Sequence, residues 1–577
     1  MKAKKILTQD VLSCEKRYKL WINNMDAVPQ WQKEKLLRLS NEEICVNFAD
    51  KLTFGTAGIR ALLGPGTDLM NEFTVCRLTS SFVKYLLLKS KENVSQKKKG
   101  VVVFCDNRTG SSVFSKFVTK VLASNGFLVL KNKHFEPLPT PFLSFVIKKL
   151  NLLAGIMITA SHNEASYNGY KIYDSFGKQL STSETNKISA LFKKEEINFN
   201  LDFSYDKDKV VVLDTVKLKQ DYFTAVKGLQ FFPHLKKQTK IIYSNLHGAT
   251  KTFTDELLKE AGYEVVIVKE QYEYDRKFPT VKAPNPELLT TFRLPLALAK
   301  KHDADLVFLN DADGDRFGVA FRESREKYKV LNGDQIGTLL LYYLLNYYQE
   351  QKKLKQNATF YSSVVSSELP PRIAKAFGCR VQRVPTGFKW VLEKVKTDVQ
   401  KENYQFLFAY EEANGFLVAP KIVSDKDGIQ TSLVFAEMFN FWKTNEISVP
   451  SIFKKIGQKF GFYHNKTFSF TFEAEEVERL MNLLQEKLKT KVEFCDLQIL
   501  KQHYFSKAKL FKVNFSCGSV LNIRPSGTES KIKFYFNSKA LSDSEAKKKA
   551  EQLVTWTKNF LKVSLQKENN SSEESVL

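Results

Sequence analysis

The stretch GIMITASHNEASYNGYKIY, residues 155–173, decides the reading of this chain. It begins as an apolar run of strand type and opens at Thr159 into small and polar residues, Thr159-Ala160-Ser161-His162-Asn163. A hydroxyl at the end of a strand is carried into a loop, where Ser161 can exchange a phosphoryl group with a small molecule. Read alone, the stretch is equally an ordinary strand-to-turn boundary, because Ser and Asn bond locally to the backbone. The rest of the chain has to choose between these readings.

Working outward, DLVFLNDADGDRFGVAF (residues 305–321) is an apolar run that ends in Asp311, Asp313 and Asp315. Two like charges about 4 Å apart cost about 4 kcal/mol at an effective dielectric near 20, so three clustered carboxylates call for a cation. Hard oxygen donors suit a hard divalent ion. A calcium loop counted from Asp311 needs Gly at its sixth position and Glu at its twelfth; Arg316 and Arg322 stand there instead. A solvated acidic turn is the plainer alternative. Near the other end, VLNIRPSGTESKIKFYF (residues 520–536) places Arg524, Ser526, Gly527 and Thr528 in a short loop between strand-like runs. A guanidinium fork, two hydroxyls and close backbone N–H groups match the oxygens of a phosphate. FLFAYEEANGFLV (residues 406–418) offers Glu411, Glu412 and Asn414 to sugar hydroxyls, and RVPTGFKW (residues 383–390) places Lys389 in a Gly-containing turn beside two aromatics.

FGTAGIR (54–60), TASHNEASYNGYK (159–171), FPTVKAPNPE (278–287), DADGDR (311–316), PTGFKW (385–390), EEANGF (411–416), KDG (426–428) and RPSGTESKIKFY (524–535) together resemble the α-D-phosphohexomutase superfamily. They resemble most its phosphoglucomutase/phosphopentomutase-like branch. The resemblance runs from about Tyr18 to about Lys562. It implies three similar mixed α/β-layer domains and a smaller α+β C-terminal domain around a central cleft. It also implies a phosphoserine enzyme that moves a phosphoryl group between C1 and C6 (or C5) of an aldose phosphate through a sugar bisphosphate. By the same resemblance, Mg²⁺ is held by Asp311, Asp313, Asp315 and a phosphoryl oxygen on Ser161. Arg60, His162, Lys171 and Lys389 handle the transferring group or its protons. Glu411, Asn414 and Arg316 read the sugar, and Arg524, Ser526, Gly527 and Thr528 hold the idle phosphate. Phosphomannomutase and sugar-bisphosphate synthase activities belong to the same class.

Two departures from the family pattern bear on the site. Glu164 stands where most members carry Pro, which predicts a looser serine loop with a negative charge near the phosphate. Ala413 replaces a Ser common in hexose-specific members, which removes one hydroxyl contact to the sugar, weakens a strict glucose assignment and makes a phosphopentose the first alternative substrate.

Composition limits the alternatives. The 577 residues suffice for three to five domains. A net charge of +25 admits a nucleic-acid binder, but the cations are scattered and no nucleic-acid motif accompanies them. The expected partner is a small phosphosugar, with no nucleic acid and no membrane, for a monomer or weak homodimer. Seven cysteines without a CxxC pair argue against disulfides and zinc and for a reducing, cytoplasmic setting. The N-terminus lacks an apolar signal core, and the longest apolar stretch, 336–348, is too short to span a bilayer.

Strand-like runs at 101–105, 127–130, 156–159, 240–243, 264–268 and 306–309 alternate with amphipathic helices, which argues for α/β layers with ligands at the carboxyl ends of strands. After about residue 449 the strands crowd together (468–472, 510–515, 531–536) before a helix at 546–562. The expected domains are 1–210 with the serine loop, 211–325 with the metal loop, 326–447 with the sugar loop and 448–565 with the phosphate loop. The polar residues 566–577 read as a disordered tail.

Overall fold

The structure, a computed structural model, describes residues 2–55, 58–90, 99–471, 474–489, 493–494, 497–506, 509–525 and 531–573. Among them are four sheets, of six, five, four and six strands. The chain forms two compact units, Met1–Ile336 with Gly387–Lys401 and Phe408–Thr444, and Gly337–Thr386 with Glu402–Leu407 and Asn445–Leu577.

In the first unit the helices Lys2–Asn23, Gln30–Leu36 and Asn41–Asn47 lead in. Trp21 anchors them, fully buried and set edge-to-face against Phe48, Phe73 and Phe199 at ring separations of 5.9, 5.0 and 5.6 Å. The six-stranded sheet that follows has Val101–Cys105 and Ala154–Ile158 side by side and parallel near its centre. Both are buried along their whole length, which is why they read as unbroken apolar runs rather than alternating ones. The five-stranded sheet is ordered Lys327–Leu331, Phe317–Ser324, Leu306–Asn310, Lys240–Ser244 and Glu264–Ile267.

One device recurs three times. Ala154–Ile158 turns back into the antiparallel strand Tyr167–Tyr173, Leu306–Asn310 into Phe317–Ser324, and Tyr404–Glu411 into Gly415–Leu417. The intervening residues are 159–166, 311–316 and 412–414: the serine, carboxylate and sugar motifs of the sequence. Each is therefore a hairpin tip at the carboxyl end of its first strand, where a βα crossover would have been the simpler expectation.

In the second unit Asn357–Ser363 pairs in parallel with Arg380–Val384. The C-terminal sheet is antiparallel throughout, and its core takes Leu480 and Leu553 from helices Ala474–Lys489 and Asp543–Glu573. Its first strand, Phe462–Thr471, starts before the 468–472 run legible in the sequence, because His464-Asn465-Lys466-Thr467 is an unbroken polar run with no strand periodicity, placed on a sheet edge. The last helix, Asp543–Glu573, enters the stretch 566–577. No helix among the described residues is long and apolar enough to cross a membrane.

Candidate active site

Ser161 follows the buried strand Ala154–Ile158 in a left-handed conformation, φ 55°. For a residue with a Cβ this costs about 1–3 kcal/mol, so its surroundings must hold it. They do. The Ser161 N–H donates to Thr159 Oγ1 at 2.8 Å, and Thr159 in turn donates to Asp106 Oδ2 at 2.6 Å. Arg108, fully buried and ion-paired with Asp106 at 3.1 Å, donates to the carbonyls of Ser161, Asn163, Glu164 and Tyr167. The loop is stitched to one guanidinium.

That geometry aims the Ser161 hydroxyl at the carboxylate hairpin. Ser161 Oγ donates to Asp311 Oδ2 at 2.8 Å and stands 3.1 Å from His162 Nδ1. Arg316 Nη2, which can only donate, lies 3.3 Å from His162 Nε2, so that nitrogen accepts and Nδ1 carries the hydrogen. Burial, with Arg316, Arg60, Arg108 and Lys171 nearby, pushes the His162 pKa well below its usual value. A neutral His162 therefore donates to Ser161, and Asp311 accepts the hydrogen bond of the serine hydroxyl.

Asp311, Asp313 and Asp315 are all buried, with one oxygen from each within 4.8 Å of the others. Burial and the other two charges push Asp311 well above the ordinary carboxylate range. Burial opposes ionisation of Asp313 and Asp315 as well. Burial is the largest influence on each, but Lys171 and the Thr140 hydroxyl together for Asp313, and Lys426, Lys171, Arg316 and Arg60 together for Asp315, hold both below the usual range. Lys171 Nζ sits 2.7 Å from Asp313 and 3.2 Å from Asp315, and Lys426 Nζ 3.3 Å from Asp315. Thr140 pins Asp313 from the side, donating its hydroxyl at 2.6 Å. Asp313 Oδ1 and Asp315 Oδ1 are left buried without hydrogen-bond partners. Two orphaned carboxylate oxygens beside a third carboxylate fit a divalent cation, which would satisfy all three.

Comparison with known proteins matches the chain to four family domains in order. They are phosphoglucomutase/phosphomannomutase alpha/beta/alpha domain I over residues 51–198, domain II over 220–324, domain III over 332–459 and the C-terminal domain over 473–555. The chain belongs to the phosphoglucomutase/phosphomannomutase family. It is a mutase, built as three similar mixed α/β domains followed by a different C-terminal one. It is similar to a phosphomannomutase of Mycoplasma genitalium, 30% identical over 94% of this chain and 98% of that one. A human phosphopentomutase is 31% identical over 86% of each. The open form of parafusin, a phosphoglucomutase from Paramecium, shares the fold at TM-score 0.65 and 19% identity over 89% of this chain and 94% of that one.

In this family member the other sequence-predicted residues distribute as follows. Arg60 Nη1 donates to Asn163 Oδ1 at 2.9 Å, bringing it to the serine loop. The Arg316 guanidinium pairs with Glu287, leaves its Nε–H buried and unpartnered, and touches His162. Glu411 accepts from the Gly387 N–H at 2.7 Å. Burial raises its pKa to about 7, with Lys426 holding it down and Glu412 pushing it up. Asn414 is buried at φ 59°, its carbonyl accepting from the Phe317 N–H at 3.1 Å. Lys389 lies in the first turn of helix Phe388–Asp398, not in a turn as its sequence suggested. It is buried, with its Nζ 5.8 Å from the Trp390 ring centroid. Among the described residues no hydrogen bond or ion pair joins it to Ser161 or the carboxylates. Arg524, in the second unit, donates to Thr386 Oγ1 and to the Pro525 carbonyl. Ser526, Gly527 and Thr528 lie outside the described residues.

Glu164 differs from its expectation. Its side chain is 48% exposed and turns outward to Lys282 Nζ at 3.4 Å, while its carbonyl accepts from Arg108. The loop keeps its tether, and the extra charge faces solvent.

Three contributors escaped the sequence reading, Asp106, Arg108 and Thr140, and a fourth, Lys426, was quoted there only within the KDG motif and given no role. Asp106 and Arg108 follow strand Val101–Cys105 directly, so the strand-end rule that found Ser161 would have found them. Lys426 sits between Asp425, which accepts from Tyr173 and Gln179 at 2.8 Å each, and Asp427, which accepts from Tyr222 at 2.7 Å.

Proposed function

We propose that this mutase interconverts the 1-phosphate and the 5- or 6-phosphate of an aldose with Ser161 as the phosphoryl carrier. The carrying observation is the 2.8 Å contact of the Ser161 hydroxyl with Asp311 in the buried carboxylate triad. In the forward half-reaction the bond from Ser161 Oγ to phosphorus breaks as a bond from a sugar hydroxyl oxygen to phosphorus forms, and the hydroxyl proton passes to a neighbouring base. The bisphosphate turns over, its other phosphoryl group returns to Ser161 Oγ, and the freed sugar oxygen takes a proton back. Such a transfer asks for positioning and cations around the equatorial oxygens more than for covalent chemistry.

Asp311, Asp313 and Asp315 would hold Mg²⁺, which supplies charge stabilisation at the transferring phosphoryl oxygens. Arg60, at the serine loop, and Lys171, beside the triad, add fixed positive charge. Glu411, Asn414 and Arg316 are proposed to read the sugar, and Arg524 with Ser526, Gly527 and Thr528 to hold the phosphate that is not reacting, so that one site serves both ends of the substrate by geometry. Lys389 is kept as a contributor to the transferring group. Domain limits near 210, 325 and 447, and a monomer or weak homodimer in a reducing cytoplasm, complete the reading. The free cysteines among the described residues are consistent with it.

Ala413 and the similarity to a phosphopentomutase support a pentose phosphate beside glucose phosphate. The test is turnover of glucose, mannose and ribose 1-phosphates with a trace of the matching bisphosphate. A product that appears only when an outside phosphoryl donor is consumed identifies a bisphosphate synthase instead. Ser161→Ala is expected to lose turnover, and full activity in that variant refutes the carrier role.

A further inference from the structure

The second compact unit contains a cavity of about 940 Å³ whose lining is charged almost entirely with one sign. Arg372 and Lys375 reach it from helix Leu369–Ala376, Lys459 from helix Val449–Phe460, Lys539 from strand Lys531–Ala540 and Lys549 from helix Asp543–Glu573. Glu545 is its one acidic lining residue. Among the described residues no carboxylate lies within ion-pair distance of any of the five cations. The acid one turn before Arg372, Glu368, is already taken by Lys512 at 2.7 Å and Arg383 at 3.4 Å.

The cations are placed by the fold. Lys539 passes over two glycines with left-handed backbones. A Cβ on Gly461 would meet Lys539 Cε at 2.8 Å, and one on Gly518 would meet Lys539 Cδ at 3.0 Å. Side chains at either position would displace the lysine stem. The Lys539 ammonium and an Arg372 guanidinium nitrogen lie 3.5 and 3.7 Å from the same point over Gly518, which brings the two charges within twice that reach of each other. Lys549 is fixed by its donation to the Lys539 carbonyl at 3.2 Å. Lys459 lies over the rings of Phe377 and Phe460, at 5.8 and 5.4 Å.

Like charges gathered around one hollow repel each other, and repulsion of this kind is relieved by an anion bound among them. The hollow has the size of small-molecule sites, about 940 Å³. An arginine fork beside four ammonium groups suits phosphoryl oxygens. We propose that this cavity is a second ligand site, separate from the serine and carboxylate chemistry, for a small molecule carrying two or more phosphoryl groups. Its cations come from the third and fourth family domains, so an occupant would tie helix Val449–Phe460 to strand Lys531–Ala540 at their junction. This inference does not depend on which sugar the enzyme prefers.

The experiment titrates the full-length enzyme by calorimetry with inorganic triphosphate, a nucleoside triphosphate and a sugar 1,6-bisphosphate, at about 0.15 M salt to screen non-specific attraction. The same titrations use an Arg372→Gln/Lys539→Gln variant. The expected result is binding of at least one probe that weakens by at least about tenfold in the variant, with mutase turnover in the absence of probe unchanged within about twofold. Equal affinity of both proteins assigns the probe to the active site and overturns the proposal, as does absence of binding up to about 1 mM. Equal binding of inorganic and nucleoside triphosphate supports recognition of the phosphate chain, and tighter nucleoside binding supports recognition of the base as well. A single-stranded RNA that binds more tightly than every small probe through Arg372 and Lys539 overturns the small-ligand assignment. Should circular dichroism show the double variant misfolded, Lys375→Gln/Lys459→Gln, on exposed helix positions, is read by the same criteria.

Discussion

The guanidinium of Arg108 donates to the carbonyl of Ser161, and through three more carbonyls it holds the whole serine loop to Asp106. A left-handed serine is kept in place by a buried ion pair rather than by its own conformational preference. Arg108→Ala leaves Asp106 buried and unpaired, which costs about 3–5 kcal/mol of stability. Arg108→Lys keeps the charge but has no planar fork for four acceptors. We expect it to fold, with kcat down by about 100-fold and KM changed far less, since misplacing a reacting group by about 1 Å costs that much. Steady-state kinetics on the lysine variant check this, and unchanged kcat would remove Arg108 from any positioning role.

The proposed Mg²⁺ site at Asp311, Asp313 and Asp315 predicts that chelation abolishes turnover. Asp315→Asn should weaken cation affinity at least about tenfold, the size found when groups that support a metal site are altered. Calorimetric titration with Mg²⁺ after chelation measures it directly. Undiminished affinity in that variant would take Asp315 out of the ligand set.

The parts of this site legible in the sequence are those in which chemistry and contiguity coincide. Ser161 and the aspartates at 311, 313 and 315 announce themselves because each motif is a single hairpin tip of unusual composition. Thr140 and Arg108 act across 173 and 53 residues of chain, and nothing in their neighbours names the partner. Lys426 was visible as part of a motif, but its role comes from lying 3.3 Å from Asp315, a distance set only by folding. Strand positions were legible wherever burial on both faces makes the run apolar, as at Val101–Cys105. They blurred at the edge strand Phe462–Thr471, where one face meets water.

The outward turn of Glu164 carries its own prediction. Its pair with Lys282 is exposed, and exposed pairs contribute about 0–1 kcal/mol. Glu164→Ala should therefore change stability by less than about 0.5 kcal/mol and activity by less than about twofold, because the carbonyl that Arg108 holds remains. Thermal melts and a kinetic assay suffice. A large rise in activity would mean that the charge does reach the phosphoryl group.

The proposed role of Glu411 in reading the sugar predicts a pH dependence. With its pKa raised to about 7, it becomes a carboxylate able only to accept hydrogen bonds as pH rises through that value. Specificity for sugar hydroxyls should follow, so kcat/KM is expected to fall on the acid side of about pH 7, and Glu411→Gln should lower kcat/KM and flatten that limb. Lys426 is the strongest influence holding the carboxyl down, so Lys426→Gln should move the limb upward. Stability runs the other way. A carboxyl whose folded pKa lies above its unfolded value of about 4.3 favours the folded state only at low pH, and that contribution is lost as pH rises toward 7. Glu411→Gln should then match the parent protein's melting temperature near pH 4 and exceed it near pH 8. Lower activity together with higher alkaline stability identifies Glu411 as a group kept for the substrate. A melting difference independent of pH would show instead that burial does not perturb it.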